Sequence, residues 1–132
     1  MSETTTGLRF SEFSAENRAR CESPQGFNHR LHSWSTSDWM TAVMGELGEA
    51  ANIVKKLNRV RDGIPGNKET VNDLHLSLRR ELADVFIYLD LLFQSLGTTV
   101  EAEIIPVFEA KSRQIGYLAP LRIYRETQEL ED

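Results

Sequence analysis

Two stretches of this chain repeat one pattern thirty-five residues apart, and the pattern dictates how they must fold. The first is TAVMGELGEAANIVKKLNR (Thr41–Arg59) and the second is SLRRELADVFIYLDLL (Ser77–Leu92). At 100° per residue, Val43, Leu47, Ala50, Val54 and Leu57 fall on one narrow helical stripe. Leu78, Leu82, Val85, Leu89 and Leu92 form its counterpart. Each copy carries two acids three residues apart, Glu46 and Glu49 in one, Glu81 and Asp84 in the other. By the same arithmetic they stand roughly 60° and 120° from the stripe, on one side of it. Four carboxylates therefore border the seam where two helices should pack. Charge in such a place is costly and calls for a reason.

The rest of the chain reads as one all-α domain spanning residues 1–132, a four- to five-helix antiparallel bundle. Residues 1–7 and 122–132 are expected to be flexible ends. A short first helix is predicted over Leu8–Cys21, with Phe10, Phe13, Asn17 and Cys21 on its inner face. Glu22–Ser37 reads as a loop, and Ser35 or Ser37 caps a second helix from about Asp38 to Arg59 or Val60. The Gly- and Pro-rich Arg61–Glu69 breaks the chain before a third helix from near Asn72 to Gly97. Thr98 with Glu101 resembles a capping box for a fourth helix, which Pro106 should kink or split.

Composition narrows the function. A net charge of −5 disfavours binding a nucleic-acid polymer, and no apolar run approaches membrane-spanning length. A single cysteine, Cys21, cannot form an internal disulfide, so a reducing, cytoplasmic setting is expected. Cys21 itself reads as a small buried hydrophobe.

Left alone, two acid pairs on facing helices would either take up protons or collect cations. Carboxylates are hard ligands suited to Mg²⁺ or Mn²⁺. A di-iron bundle would place His three residues after its Glu, where this chain has Glu49 and Asp84. His29, His32 and His75 show neither triad nor metal spacing.

GELGEAANIVKKLNR followed by ELADVFIYLDLL resembles the MazG-like branch of the all-α nucleoside triphosphate pyrophosphohydrolases. The family hallmark is Glu-x-x-Glu followed one helix later by Glu-x-x-Asp, matched by Glu46, Glu49, Glu81 and Asp84. The similarity runs from Phe10 through WSTSDW (Trp34–Trp39) to Ser112 and Gly116. It implies metal-dependent hydrolysis between the α- and β-phosphates, releasing a nucleoside monophosphate and pyrophosphate. The four acids would be the metal ligands, and Glu46 is also the candidate for taking the proton of the attacking water.

Lys55, Lys56, Arg59, Lys111 and Arg113 are the candidate phosphate contacts. Trp34 and His29, with Phe27 nearby, are candidates for meeting the base, and Tyr88 for the sugar or for steadying a ligand. The chain departs from the family in two places. The family often carries Lys-Phe-Asn ahead of a Ser and a Gly, whereas here Val107-Phe108-Glu109 precedes Ser112 and Gly116, removing a Lys and an Asn. The interval between the acid motifs is also longer.

Alternatives are a phosphoribosyl-ATP pyrophosphohydrolase and a non-enzymatic helical module held together by an ion. Relatives commonly pair subunits, and the apolar surface of helices two and three exceeds one stripe. Trp39, Met40, Met44, Ala51 and Ile53 on one, and Phe86, Ile87, Tyr88, Leu91 and Phe93 on the other, predict a homo-oligomer, a dimer or tetramer.

Overall fold

A computed structural model describes residues 7–117, so the expectations for residues 1–6 and 122–132 lie outside the described residues. It contains four α-helices: α1 (Phe10–Glu22), α2 (Thr36–Arg61), α3 (Val71–Ser95) and α4 (Val100–Gln114). A single 3₁₀ turn, Leu31–Ser33, interrupts the α1–α2 connection, and there is no strand among the described residues.

The helix boundaries follow from local chemistry. Ser35 Oγ accepts from Asp38 N at 3.2 Å, while Asp38 Oδ2 accepts from Ser35 N at 2.9 Å, a reciprocal cap that starts α2. Ser35 N and Ser35 Oγ, each donating to Asp38 Oδ2 at 2.9 Å, hold the Asp38 carboxyl below its ordinary pKa. Thr70 caps α3 through Asp73 N. Gly97, at φ 76°, takes the left-handed turn that ends it. The cap of α4 is Thr99, which accepts from Ala102 N at 3.1 Å. Thr98, predicted for that role, instead donates to Glu103 at 2.7 Å. Pro106 does not split α4, which runs unbroken through it.

The dominant packing is between α2 and α3, which run antiparallel. Glu49 meets Glu81 at one end, while Trp39 and Val43 share a core cluster with Leu91 and Leu92 at the other. The packed arc of α2 is rotated from the predicted stripe. Trp39, Val43 and Ala50 are buried, but Leu47 and Val54 are 42% and 40% exposed. Trp39 at the centre of the core is what turns the helix. Its indole Nε1 donates to Leu31 O at 3.0 Å, and that anchor draws the arc toward the acid-bearing side. Trp39 and Leu91, assigned to an outer face by pattern, thus lie inside, and Leu82 lies outside.

Helix α1 packs on another face of α3, using Phe10 and Phe13 against Phe86. Beside them sits Asp90, only 1% exposed. Its carboxylate accepts from Ser14 Oγ at 2.5 Å, and from Asn17 Nδ2 and Gln94 Nε2 at 2.9 Å each. Three donors take the place of water around this buried carboxyl group, and no salt bridge reaches it among the described residues. Helix α4 packs chiefly against α1 rather than wrapping a shared core, and Ile104, Val107 and Phe108 remain exposed.

Asp90→Ala should leave the Ser14, Asn17 and Gln94 donors unmatched and cost about 3 kcal/mol of stability. The urea midpoint would fall accordingly, and a loss below about 1 kcal/mol would contradict this account.

Candidate active site

The rotation of α2 carries Glu46 toward α3. Oxygens of Glu46, Glu81 and Asp84 lie within 4.8 Å of one another. Glu46 and Glu81 are half-buried and Asp84 is exposed. Glu49 reaches Glu81 within hydrogen-bonding distance but stands outside this trio, on the exposed flank of α2. Of the four predicted ligands, three converge and one borders them.

Burial pushes the Glu46 carboxyl up from 4.5 to about 7, with a hydrogen bond to Glu81 and the charges of Glu49 and Asp84 adding to it. Burial also raises Glu81, reinforced by its contact with Glu49. Glu81 Oε2 is buried and has no hydrogen-bond partner among the described residues. An orphaned carboxylate oxygen beside two further carboxylates fits a hard divalent cation, because the donor set is oxygen alone.

The trio borders a cleft of about 390 Å³ between α1, the α1–α2 connection, α2 and α3. Glu46 and Asp84 form one end. The other is aromatic: His29 stands edge-on to Trp34 at 4.5 Å between ring centroids, and Trp34 lies 4.6 Å from Trp39. Phe27 and Tyr88 complete the lining. The connection is held there by backbone bonds from Phe27 N to Arg20 O and from His29 N to Cys21 O. Gly26 permits this, since a Cβ at that position would lie 1.9 Å from Arg20 O. Cys21 is buried as predicted, its thiol pKa raised chiefly by burial, and Sγ donates to His29 O.

The predicted phosphate contacts do not gather here. Lys56 pairs with Glu69 at 2.6 Å, and Arg59 donates to Pro65 O at 2.6 Å, so both fasten the α2–α3 connection. Lys55 is exposed on α2 outside the cleft lining. Lys111 reaches Gln114 on α4, and neither it nor Arg113 lines the cleft. The cation that does is Arg20, over the Phe27 ring at 5.3 Å. Sequence reasoning missed Arg20 because nothing in its neighbourhood links it to Trp34 across the loop. Asn17 was also missed as a site residue, although a polar amide inside an apolar stripe was the available signal. Comparison with known protein families, with curated proteins and with solved structures finds no match to this chain.

The raised Glu46 carboxyl fixes the sign of a pH effect. Between its ordinary value of 4.5 and about 7 the folded protein holds a proton that the unfolded chain has lost. That contribution to stability is complete below the lower value and is lost as pH rises through the upper one. The metal-free protein should therefore lose melting temperature between about pH 5 and pH 8 relative to Glu46→Gln, which cannot titrate there. Parallel curves for the two proteins in thermal scans would refute the coupling.

Proposed function

We propose that this chain is a metal-dependent nucleoside triphosphate pyrophosphohydrolase, cleaving between the α- and β-phosphates to release a nucleoside monophosphate and pyrophosphate. The observation that carries the reading is the convergence of Glu46, Glu81 and Asp84 at one end of a cleft whose other end is aromatic. The resemblance of the two acid motifs to the MazG-like pattern supports it as well.

Glu46, Glu81 and Asp84 would hold Mg²⁺ or Mn²⁺, with Glu49 supporting Glu81 from the flank. Bound there, the ion would supply charge neutralisation for the triphosphate and a more acidic water. Glu46, whose proton affinity is already displaced toward neutrality, takes the proton as a water oxygen attacks the α-phosphorus and the bond to the bridging oxygen breaks. The base stacks among Trp34, His29 and Phe27, while Tyr88, one turn beyond Asp84, faces the sugar. Arg20, as the lysine or arginine that lines the cleft, takes the phosphate role that sequence spacing had given to Lys55, Lys56 and Arg59.

A panel of ribo- and deoxynucleoside triphosphates with Mg²⁺ or Mn²⁺, scored for monophosphate and pyrophosphate, tests the reading. Glu81→Ala and Asp84→Ala should abolish turnover without unfolding the protein. Glu46→Gln should retain substrate binding while turnover drops about a hundredfold or more. Absence of pyrophosphate from every nucleotide, or full activity in these variants, would refute it.

The same proposal includes a homo-oligomer. Along the outer side of α2, Met40, Met44, Leu47 and Val54 are between 40% and 56% exposed, and Leu82 of α3 is 47% exposed. Exposed apolar side chains grouped in this way are what an interface between subunits would cover. Light scattering should give a multiple of the 15.0 kDa chain mass, whereas a fully active monomer would overturn the assembly.

A further inference from the structure

The cleft contains one polar group whose orientation is fixed by chemistry rather than by packing. Asn17 is 4% exposed and lines the cleft together with the acidic and aromatic residues. Its amide nitrogen donates twice, to Ile87 O and to Asp90 Oδ2, each at 2.9 Å. Both partners are acceptors, so a flipped amide would set its carbonyl against two oxygens. Asp90 cannot swing away, because Ser14 and Gln94 hold its oxygens from other directions. Every N–H of Asn17's side chain is thereby committed. What remains for the cleft is Oδ1, which takes part in neither of these bonds.

We infer that Asn17 is a specificity-determining residue, its side-chain carbonyl accepting a hydrogen bond from the exocyclic amino group of a base, so that cytosine and adenine are taken in preference to uracil. The inference rests on the nucleotide reading above and adds the substrate class. A lone acceptor repels phosphate oxygens and calls for a donor; with the sugar assigned to Tyr88, that donor comes from the base stacked among His29, Trp34 and Phe27. An amino group projects beyond the ring edge and presents a donor. The ring N–H of uracil lies between two keto oxygens, which need donors that Asn17 cannot provide. A keto oxygen facing Oδ1 would leave two acceptors opposed, and polar mismatch of that kind is where binding sites discriminate most sharply. Asp90 acts here as a positioning residue, through Asn17.

Equilibrium titration with cytidine, adenosine and uridine in EDTA, read by quenching of Trp34 and Trp39, tests this without turnover. Cytidine and adenosine should bind at least about tenfold more tightly than uridine. Asn17→Leu should bring the ratio near one by weakening the amino-bearing nucleosides alone, and Asn17→Ser offers a smaller change with the same direction. Uridine binding as tightly as cytidine, no nucleoside binding at all, or undiminished selectivity in both variants would overturn the inference. Selective binding by a protein that releases no pyrophosphate would sustain it while refuting the hydrolase. Hydrolysis indifferent to the base would do the reverse.

Discussion

Repulsion among carboxylates packed at a helix seam is the constraint around which this molecule is arranged. Glu46, Glu81 and Asp84 come together because α2 and α3 have nowhere else to bury their apolar residues, and the buried residues of α2 are immediate helical neighbours of Glu46. Burial then raises the proton affinity of Glu46 and Glu81, so the seam is held in part by protons at low pH. Packing and charge are opposed in the same few residues. That opposition is the usual mark of a site, because apolar residues of similar volume would pack there without it.

Much of this was legible in the sequence, and the parts that were not have physical reasons. Helical period and capping residues located α1, α2 and α3 to within one or two residues, since those signals act over a single turn. The meeting of the acids was legible too, because the break between the helices lies midway between the two motifs and a helical hairpin folded there brings them level. The rotation of α2 was not. It depends on Trp39 reaching Leu31 across the loop, and a periodicity argument treats each helix in isolation. The placement of the cations was not legible for a similar reason. Lys56 and Arg59 lie near the acids along the chain, but Glu69 and the Pro65 carbonyl claim them. Arg20 comes from another helix altogether.

The α4 assignment shows the limit of local grammar in a different way. Either Thr98 or Thr99 satisfies a capping rule, and the pattern Thr98 with Glu101 resembled the stronger one. The observed cap uses Thr99, which leaves Thr98 free to bond Glu103. Competing caps one residue apart differ by less than the tertiary contacts that choose between them.

The close approach at Gly26 has a bearing on how this cleft is built. Phe27 and His29 hang from the last turn of α1 through main-chain bonds, with Asn28 in the left-handed region at φ 52° between them. The Phe27 side chain makes none of these bonds; the side chains that add to them are Cys21, Glu22 and Trp39. The scaffold and the lining are therefore separable: Phe27 can be exchanged for another shape while Gly26, Arg20 O and Cys21 O keep the main chain in place. Because α1 is itself tied to α3 through Asp90, the mouth of the cleft has a width inherited from a helix–helix distance. An architecture of that kind lets the shape of the rim drift by single substitutions while the acidic end stays fixed.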